Sequence, residues 1–162
     1  MPSSQEFILG EHICILDERY RLSVPQQLHE LLAIKAKECV LVKERAGCIS
    51  LWNPAVWQTK LDDRVELIRQ KIKSGVIEDR ITEFQLLGRL LSTRHKVVPL
   101  SARGRLSIPK GFREFLKIEE PEREVMVVGA ALCVEIWNTN AWLEYIEERM
   151  PEFQKLFNEL SQ

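Results

Sequence analysis

Two pairs of arginines carry the chemistry this sequence offers. Arg19 and Arg21 stand two residues apart, and so do Arg103 and Arg105. A guanidinium is a planar fork of donors that engages phosphate, or O6 and N7 of guanine in the major groove. In an extended segment, residues two apart point to one face, so each pair would aim two forks at one polyanion. The plainer alternative is a solvated strand face. For Arg21 a second alternative is an ion pair with Asp17 that holds the local turn, acting on geometry more than on stability because it is exposed.

Recurrence separates these readings. Arg21-Leu22-Ser23-Val24-Pro25 returns as Arg105-Leu106-Ser107-Ile108-Pro109, an offset of 84. Over residues 17–32 that offset gives seven identities in sixteen positions, where chance gives about one, so the chain holds an internal repeat. An offset of 85 then pairs Cys48 with Cys133, Trp52-Asn53 with Trp137-Asn138, and Trp57 with Trp142. Charge is segregated as well. Residues 84–113 hold seven basic side chains and no acid, whereas residues 114–162 hold eleven Glu against four basic residues. The net charge of −1 hides this basic stretch, which surrounds the second arginine pair and favours contact with a polyanion.

Other chemistries find little support. Ser107-Ile108-Pro109-Lys110 has the Ser-x-x-Lys spacing of acylating serine enzymes, but Ser23-Val24-Pro25-Gln26 lacks the Lys and the companion motifs are absent. His12, His29 and His95 have no spacing suited to a metal or a triad. Cys14, Cys39, Cys48 and Cys133 form no C-x-x-C pair and read as buried free thiols. No glycine-rich loop cradles a phosphate. The expectation is therefore a non-enzyme with no cofactor, no metal and no small-molecule substrate.

The elements that must position the arginines follow from periodicity. A short strand is expected from His12 to Asp17, a turn over Asp17–Tyr20, and a second strand from Tyr20 to Val24. Pro25 suits the first position of a short helix running to about Ala33, with Val24 as a poor N-cap whose first turn tertiary contacts must hold. Cys39–Lys43 and Cys48–Trp52 read as a hairpin about Gly47, which is free to take positive φ. The second half repeats this order: strands at Lys96–Leu100 and Arg105–Ile108, a helix from Pro109, and a hairpin of Glu124–Val128 with Leu132–Trp137. Between the halves, Pro54 opens a helix with a stripe of Trp57, Leu61, Val65, Ile68 and Ile72, closed at Ser74-Gly75. A second helix is expected from Ile77 to Leu91, with Ile81, Phe84, Leu87 and Leu91 inward and Gly88 as a close-packing point. A last helix starts near Asn140, is broken or kinked at Pro151, and continues in an amphipathic stretch of Phe153, Leu156, Phe157 and Leu160 that would dock on a neighbouring subunit. Trp52, Trp57, Trp137 and Trp142 serve either core packing or subunit contacts.

The expected fold is mixed β/α and β-rich. It comprises a first ββαββ repeat (8–54), connecting helices (55–92), a second repeat (93–138) and a C-terminal helix (139–162). A chain of 162 residues, 45% hydrophobic and 29% charged, suits a soluble globular protein. The longest apolar run is too short to span a bilayer, and Met1–Gln5 lacks the regions of a signal peptide, so a cytoplasmic location is expected.

Two units of this kind, each with a turn leading into Arg-Leu-Ser-(Val/Ile)-Pro, resemble the MraZ family. That family is a duplicated relative of the AbrB, SpoVT and MazE group of bacterial DNA-binding domains, and the resemblance covers about residues 8–150. The family signature, Asp-x-x-x-Arg, stands in the first half as Asp17-Glu18-Arg19-Tyr20-Arg21, with Tyr20 where Gly is usual. The second half reads Ser101-Ala102-Arg103-Gly104-Arg105, with Ser in place of Asp. The resemblance implies a double-split β-barrel and a nucleoid-associated transcriptional regulator. It implies a homo-oligomeric ring whose basic turns meet double-stranded DNA at short repeated boxes upstream of a division and cell-wall gene cluster. Arg19, Arg21, Arg103 and Arg105 are the expected contacts. A protein-interaction module that keeps the fold with a weakened DNA face is the competing reading.

Overall fold

The computed structural model describes residues 7–75 and 78–162. In chain order the elements are β1 (Glu11–Ile15), β2 (Arg21–Ser23), α1 (Gln26–Leu31), β3 (Glu38–Arg45), β4 (Cys48–Trp52) and α2 (Pro54–Lys73). A 3-10 turn (Glu78–Arg80) leads to α3 (Ile81–Arg94), β5 (His95–Pro99), β6 (Arg105–Ser107), α4 (Lys110–Leu116), β7 (Glu124–Gly129) and β8 (Val134–Asn138). The chain ends in α5 (Thr139–Arg149), a 3-10 turn (Met150–Glu152) and α6 (Phe153–Leu160).

The two halves interleave. β1 pairs with β7, and β3 pairs with both β4 and β5. Each half thus lends its first strand to the other, β1 to β7 and β5 to β3, and the halves abut where β4 meets β8. The result is one six-stranded sheet in the order β1-β7-β8-β4-β3-β5, with a separate two-stranded ribbon of β2 and β6. The sheet is open at β1 and β5; among the described residues the strand pairing closes no barrel.

The central strands are buried on both faces, which is why they read as continuous apolar runs. Leu41, Ile49, Leu51, Val125, Val127 and Ile136 face one core shared by both halves, where they meet Leu22, Leu28, Leu106 and Leu116. On the other face, Val40, Val42 and Trp52 pack against Trp57 of α2. Met126, Val128 and Trp137 pack there against Trp142 and Tyr145 of α5. The four tryptophans thus pack within the chain.

Several boundaries differ from expectation. Pro25 and Pro109 sit at the N-cap, one residue before the helices, with ψ of 135° and 154°. The Pro25 carbonyl still accepts from Leu28 and His29, which is the N-cap's role. Val24, expected as the cap, is buried and donates its N–H to Gly104 across the ribbon. On α2 only Trp57 of the expected stripe is buried; Leu61, Val65 and Ile68 are half-buried and Ile72 is exposed, because the helix outruns the sheet beneath it. α3 begins at Ile81, which is exposed rather than inward, while Ile77, its expected start, lies outside the described residues. A side chain at Gly88 would face open space, so the residue is not a close-packing point. Gly47 and Gly75 take the positive φ their turns require. No helix among the described residues is long and apolar enough to cross a membrane.

Candidate nucleic-acid interface

The β2–β6 ribbon is built about an approximate two-fold axis. Leu22 lies opposite Leu106, Arg21 opposite Ser107, and Ser23 opposite Arg105. Both leucines are buried. Because side chains alternate along a strand, Arg21, Ser23, Arg105 and Ser107 share the outward face. Arg21, Ser101, Arg105 and Ser107 line one shallow depression of about 370 Å³ there. Two further cross-bonds obey the same symmetry: Val24 N–H donates to Gly104 O at 2.9 Å, and Ile108 N–H to Tyr20 O at 3.0 Å.

The turns that feed the ribbon are copies of one another. Tyr20 N–H donates to Asp17 O at 2.9 Å, and Gly104 N–H to Ser101 O at 2.9 Å. Asp17 N–H donates to Arg21 O at 3.2 Å, and Ser101 N–H to Arg105 O at 2.9 Å. The Arg21 N–H donates to Asp17 Oδ1 at 2.9 Å, and the Arg105 N–H to Ser101 Oγ at 3.0 Å. Ser101 therefore does for its turn what Asp17 does for the other. Arg19 and Arg103 occupy equivalent, exposed positions within the turns. An antiparallel ribbon of three-residue strands is about 10 Å long, and it carries one turn at each end.

The third turn position needs a left-handed backbone in both copies, with φ of 57° at Tyr20 and 82° at Gly104. A Cβ at Gly104 would come within 2.7 Å of the His29 ring. At Tyr20 the side chain leaves the turn, lies under the Arg113 guanidinium at 4.2 Å, and donates its hydroxyl to Glu120. The hydroxyl is thus engaged by a carboxylate of its own chain. His29 and Arg113 are themselves 84 apart, so the same helix position covers the same turn position in both halves.

The two arginine pairs differ in charge balance. Arg21 Nε donates to Asp17 Oδ2 at 2.7 Å, as the ion-pair reading expected. The Arg21 backbone N–H first, then its guanidinium and the Arg19 N–H, hold the Asp17 carboxyl below its usual range. Arg19, Arg103 and Arg105 make no ion pair within 4.0 Å among the described residues. Not all of the basic stretch is free: Arg94 is spent on Lys43 O and Glu44. Sequence reasoning missed Ser23 and Ser107, whose hydroxyls flank the arginines on the ribbon face; their place inside the repeated phrase was the signal.

The family model described as "MraZ protein", and as antitoxin-like, matches residues 7–73 and 96–161. This chain belongs to the MraZ family. The match falls in two segments, one on each half, as the repeat requires. Among curated MraZ relatives, "Transcriptional regulator MraZ" of Paenarthrobacter aurescens is 30% identical over 91% of this chain and 92% of its own. The protein of the same name from Syntrophomonas wolfei is 27% identical over 94% and 95%. That from Moorella thermoacetica is 25% identical over 91% and 92%. These relatives are named as regulators of transcription, not as enzymes.

Proposed function

We propose that this MraZ-family chain is a sequence-specific DNA-binding regulator of transcription whose contact surface is the outward face of the β2–β6 ribbon with its two turns. The observation that carries the reading is the shared face: one short ribbon places Arg21 and Arg105 on one side, with Arg19 and Arg103 in the turns at its ends. The major groove of B-DNA admits a two-stranded ribbon, and arginine reads guanine there or clamps phosphate. Ser23 and Ser107 add neutral donors that suit phosphate. The names of the relatives point the same way.

A face with two to four phosphate contacts binds weakly on its own. Copies arranged in a ring, each facing one of several repeated boxes, would raise affinity through effective concentration. We read the interleaved halves as a split-barrel unit of the AbrB kind, with the repeats spanning 8–54 and 93–138 and the site residues inside them. The boxes would lie upstream of a division and cell-wall gene cluster, and the protein would work at the nucleoid.

One observation favours a second reading, a protein-binding module of antitoxin type. In the first half Arg21 is neutralised by Asp17 and the Tyr20 hydroxyl is taken up by Glu120. Salt decides between the two. Affinity for DNA from upstream of the chain's own gene should fall with salt by about 0.9 log units per log unit for each phosphate contacted. A slope near zero would favour the protein-binding module, and equal affinity for scrambled DNA would contradict sequence-specific recognition.

A further inference from the structure

The first turn is poorer in positive charge than the second. Residues 17–21 hold two acids and two arginines, whereas residues 101–105 hold two arginines and no acid. Arg21 is moreover tied to Asp17. A ribbon built about an approximate two-fold axis would then grip a polyanion at one end only, unless another cation stands at the first turn.

Arg113 stands there. It lies on α4, and its guanidinium covers the ring of Tyr20, the residue between Arg19 and Arg21, at 4.2 Å. A cation over an aromatic face is attracted by the ring quadrupole, and a planar guanidinium also stacks on the ring. Among the described residues no carboxylate comes within 4.0 Å of Arg113. Glu120, at the hydroxyl end of the Tyr20 ring, is already engaged. It accepts the Tyr20 hydroxyl and pairs with Arg123 at 3.0 Å. Those contacts, the Tyr20 hydroxyl first, hold the Glu120 carboxyl below its usual range. The charge on Arg113 is therefore uncompensated.

The donors of Arg113 point the same way. Buried donors in a native protein are nearly always paired. The buried Nε of Arg113 meets no acceptor among the described residues, and the residue as a whole is only half-buried. The fork is thus set by the Tyr20 ring and by packing rather than by a carboxylate, and its Nη groups are left for an acceptor from outside. The equivalent helix position in the other half is His29, which lies against Gly104. Gly104 offers no ring to stack on, and its turn keeps both of its arginines unpaired among the described residues.

We infer that Arg113, mounted on Tyr20, is a further DNA-contact residue that clamps a backbone phosphate beside the first turn, in place of the charge that Asp17 takes from Arg21. The inference rests on the proposed DNA reading and adds to it a contact outside the ribbon. A phosphate contact of this kind fixes register and orientation and reads no base.

The test follows the affinity of the full chain for DNA from upstream of its own gene, by fluorescence anisotropy over a salt series. Arg113→Met keeps a stem over the Tyr20 ring and removes the charge. It should lower the salt slope by about 0.9 units for each copy bound. Arg113→Lys keeps the charge and should keep the slope. Ethylation interference then locates the contact. Ethyl groups on phosphates at both ends of each bound site should block wild type, and Arg113→Met should escape the block at one end only. The near-ultraviolet spectrum of the buried tryptophans should be the same in all three proteins. An Arg113→Met variant that keeps the wild-type slope would overturn the inference, since Arg113 would then only prop the turn. So would an Arg113→Lys variant whose slope falls as far as that of Arg113→Met. Failure here is separable from failure of the DNA reading: in the first case Arg103→Met still lowers the slope, whereas a wild type without a slope overturns both.

Discussion

At position 101 a hydroxyl accepts the Arg105 N–H just as the Asp17 carboxylate accepts that of Arg21, but it brings no charge. The second turn therefore keeps its shape and leaves Arg105 unneutralised. Ser101→Asp should draw Arg105 into the ion pair seen at Asp17 and weaken DNA binding by about 3- to 10-fold, about 0.6–1.4 kcal/mol, measured by fluorescence anisotropy. An unchanged affinity would mean that Arg105 does not touch DNA. Asp17 makes a pH-dependent contribution of known sign. Its folded pKa is lowered, by the Arg21 N–H before all else, so the turn is fully held above the ordinary Asp value of about 3.9. That contribution is lost as pH falls from there through the folded value. Hydrogen exchange at the Arg21 amide should show protection that is steady near neutrality and fails in this acid range, and Asp17→Asn should remove the transition. Tyr20 was the least legible position. Nothing in Asp-Glu-Arg-Tyr signals a left-handed residue; only alignment with Gly104 does. A left-handed backbone costs a non-glycine residue about 1–2 kcal/mol. Tyr20→Ala keeps that cost and loses the Arg113 and Glu120 contacts, whereas Tyr20→Gly loses the contacts and relieves the cost. The glycine variant should therefore be the more stable of the two in urea, by about 1 kcal/mol, the reverse of the order in a helix or strand.

Among the elements, the hairpins were plain in the sequence because Gly47 and alternating apolar residues mark them. β4 lies where the pattern placed it, at Cys48–Trp52. The connecting helices were legible in kind but not in burial. Periodicity reports which face is apolar, not whether anything lies beneath it, and so Ile72 and Ile81 of the expected stripes are exposed and Gly88 is not a close-packing point. The approach of the segment around Ile8 to β7 had no local signal at all. Ile8 bridges Ala131, and Gly129 N–H donates to Gly10 O at 2.8 Å. A Cβ at Gly129 would lie 2.3 Å from the Ile8 carbonyl oxygen. Gly129→Ala should therefore cost about 1–3 kcal/mol through forced backbone displacement, read from the denaturation midpoint. The expected free thiols are present: Cys39, Cys48 and Cys133 are buried in or beside strands, while Cys14 on β1 is half-exposed. Burial pushes the Cys39 and Cys133 thiols up to about 12 and raises Cys48 as well.

Across the whole molecule, the repeat predicted two similar halves but not their exchange of strands. Each strand's alternation is satisfied by a neighbour from either half, so the pattern is silent on which half supplies it. That exchange is what makes the candidate site. β2 and β6 come from different halves, and only their pairing turns two arginine pairs 84 residues apart into one surface. The direct test is an anisotropy titration of Arg103→Ala with Arg105→Ala against DNA from upstream of the chain's own gene. The control is Arg69→Ala with Lys73→Ala, which removes the same charge from the exposed side of α2. The account predicts that the ribbon variant loses at least about tenfold in affinity and up to about two units of salt slope, while the control changes little. Equal losses in the two variants, or none in the ribbon variant, would contradict it.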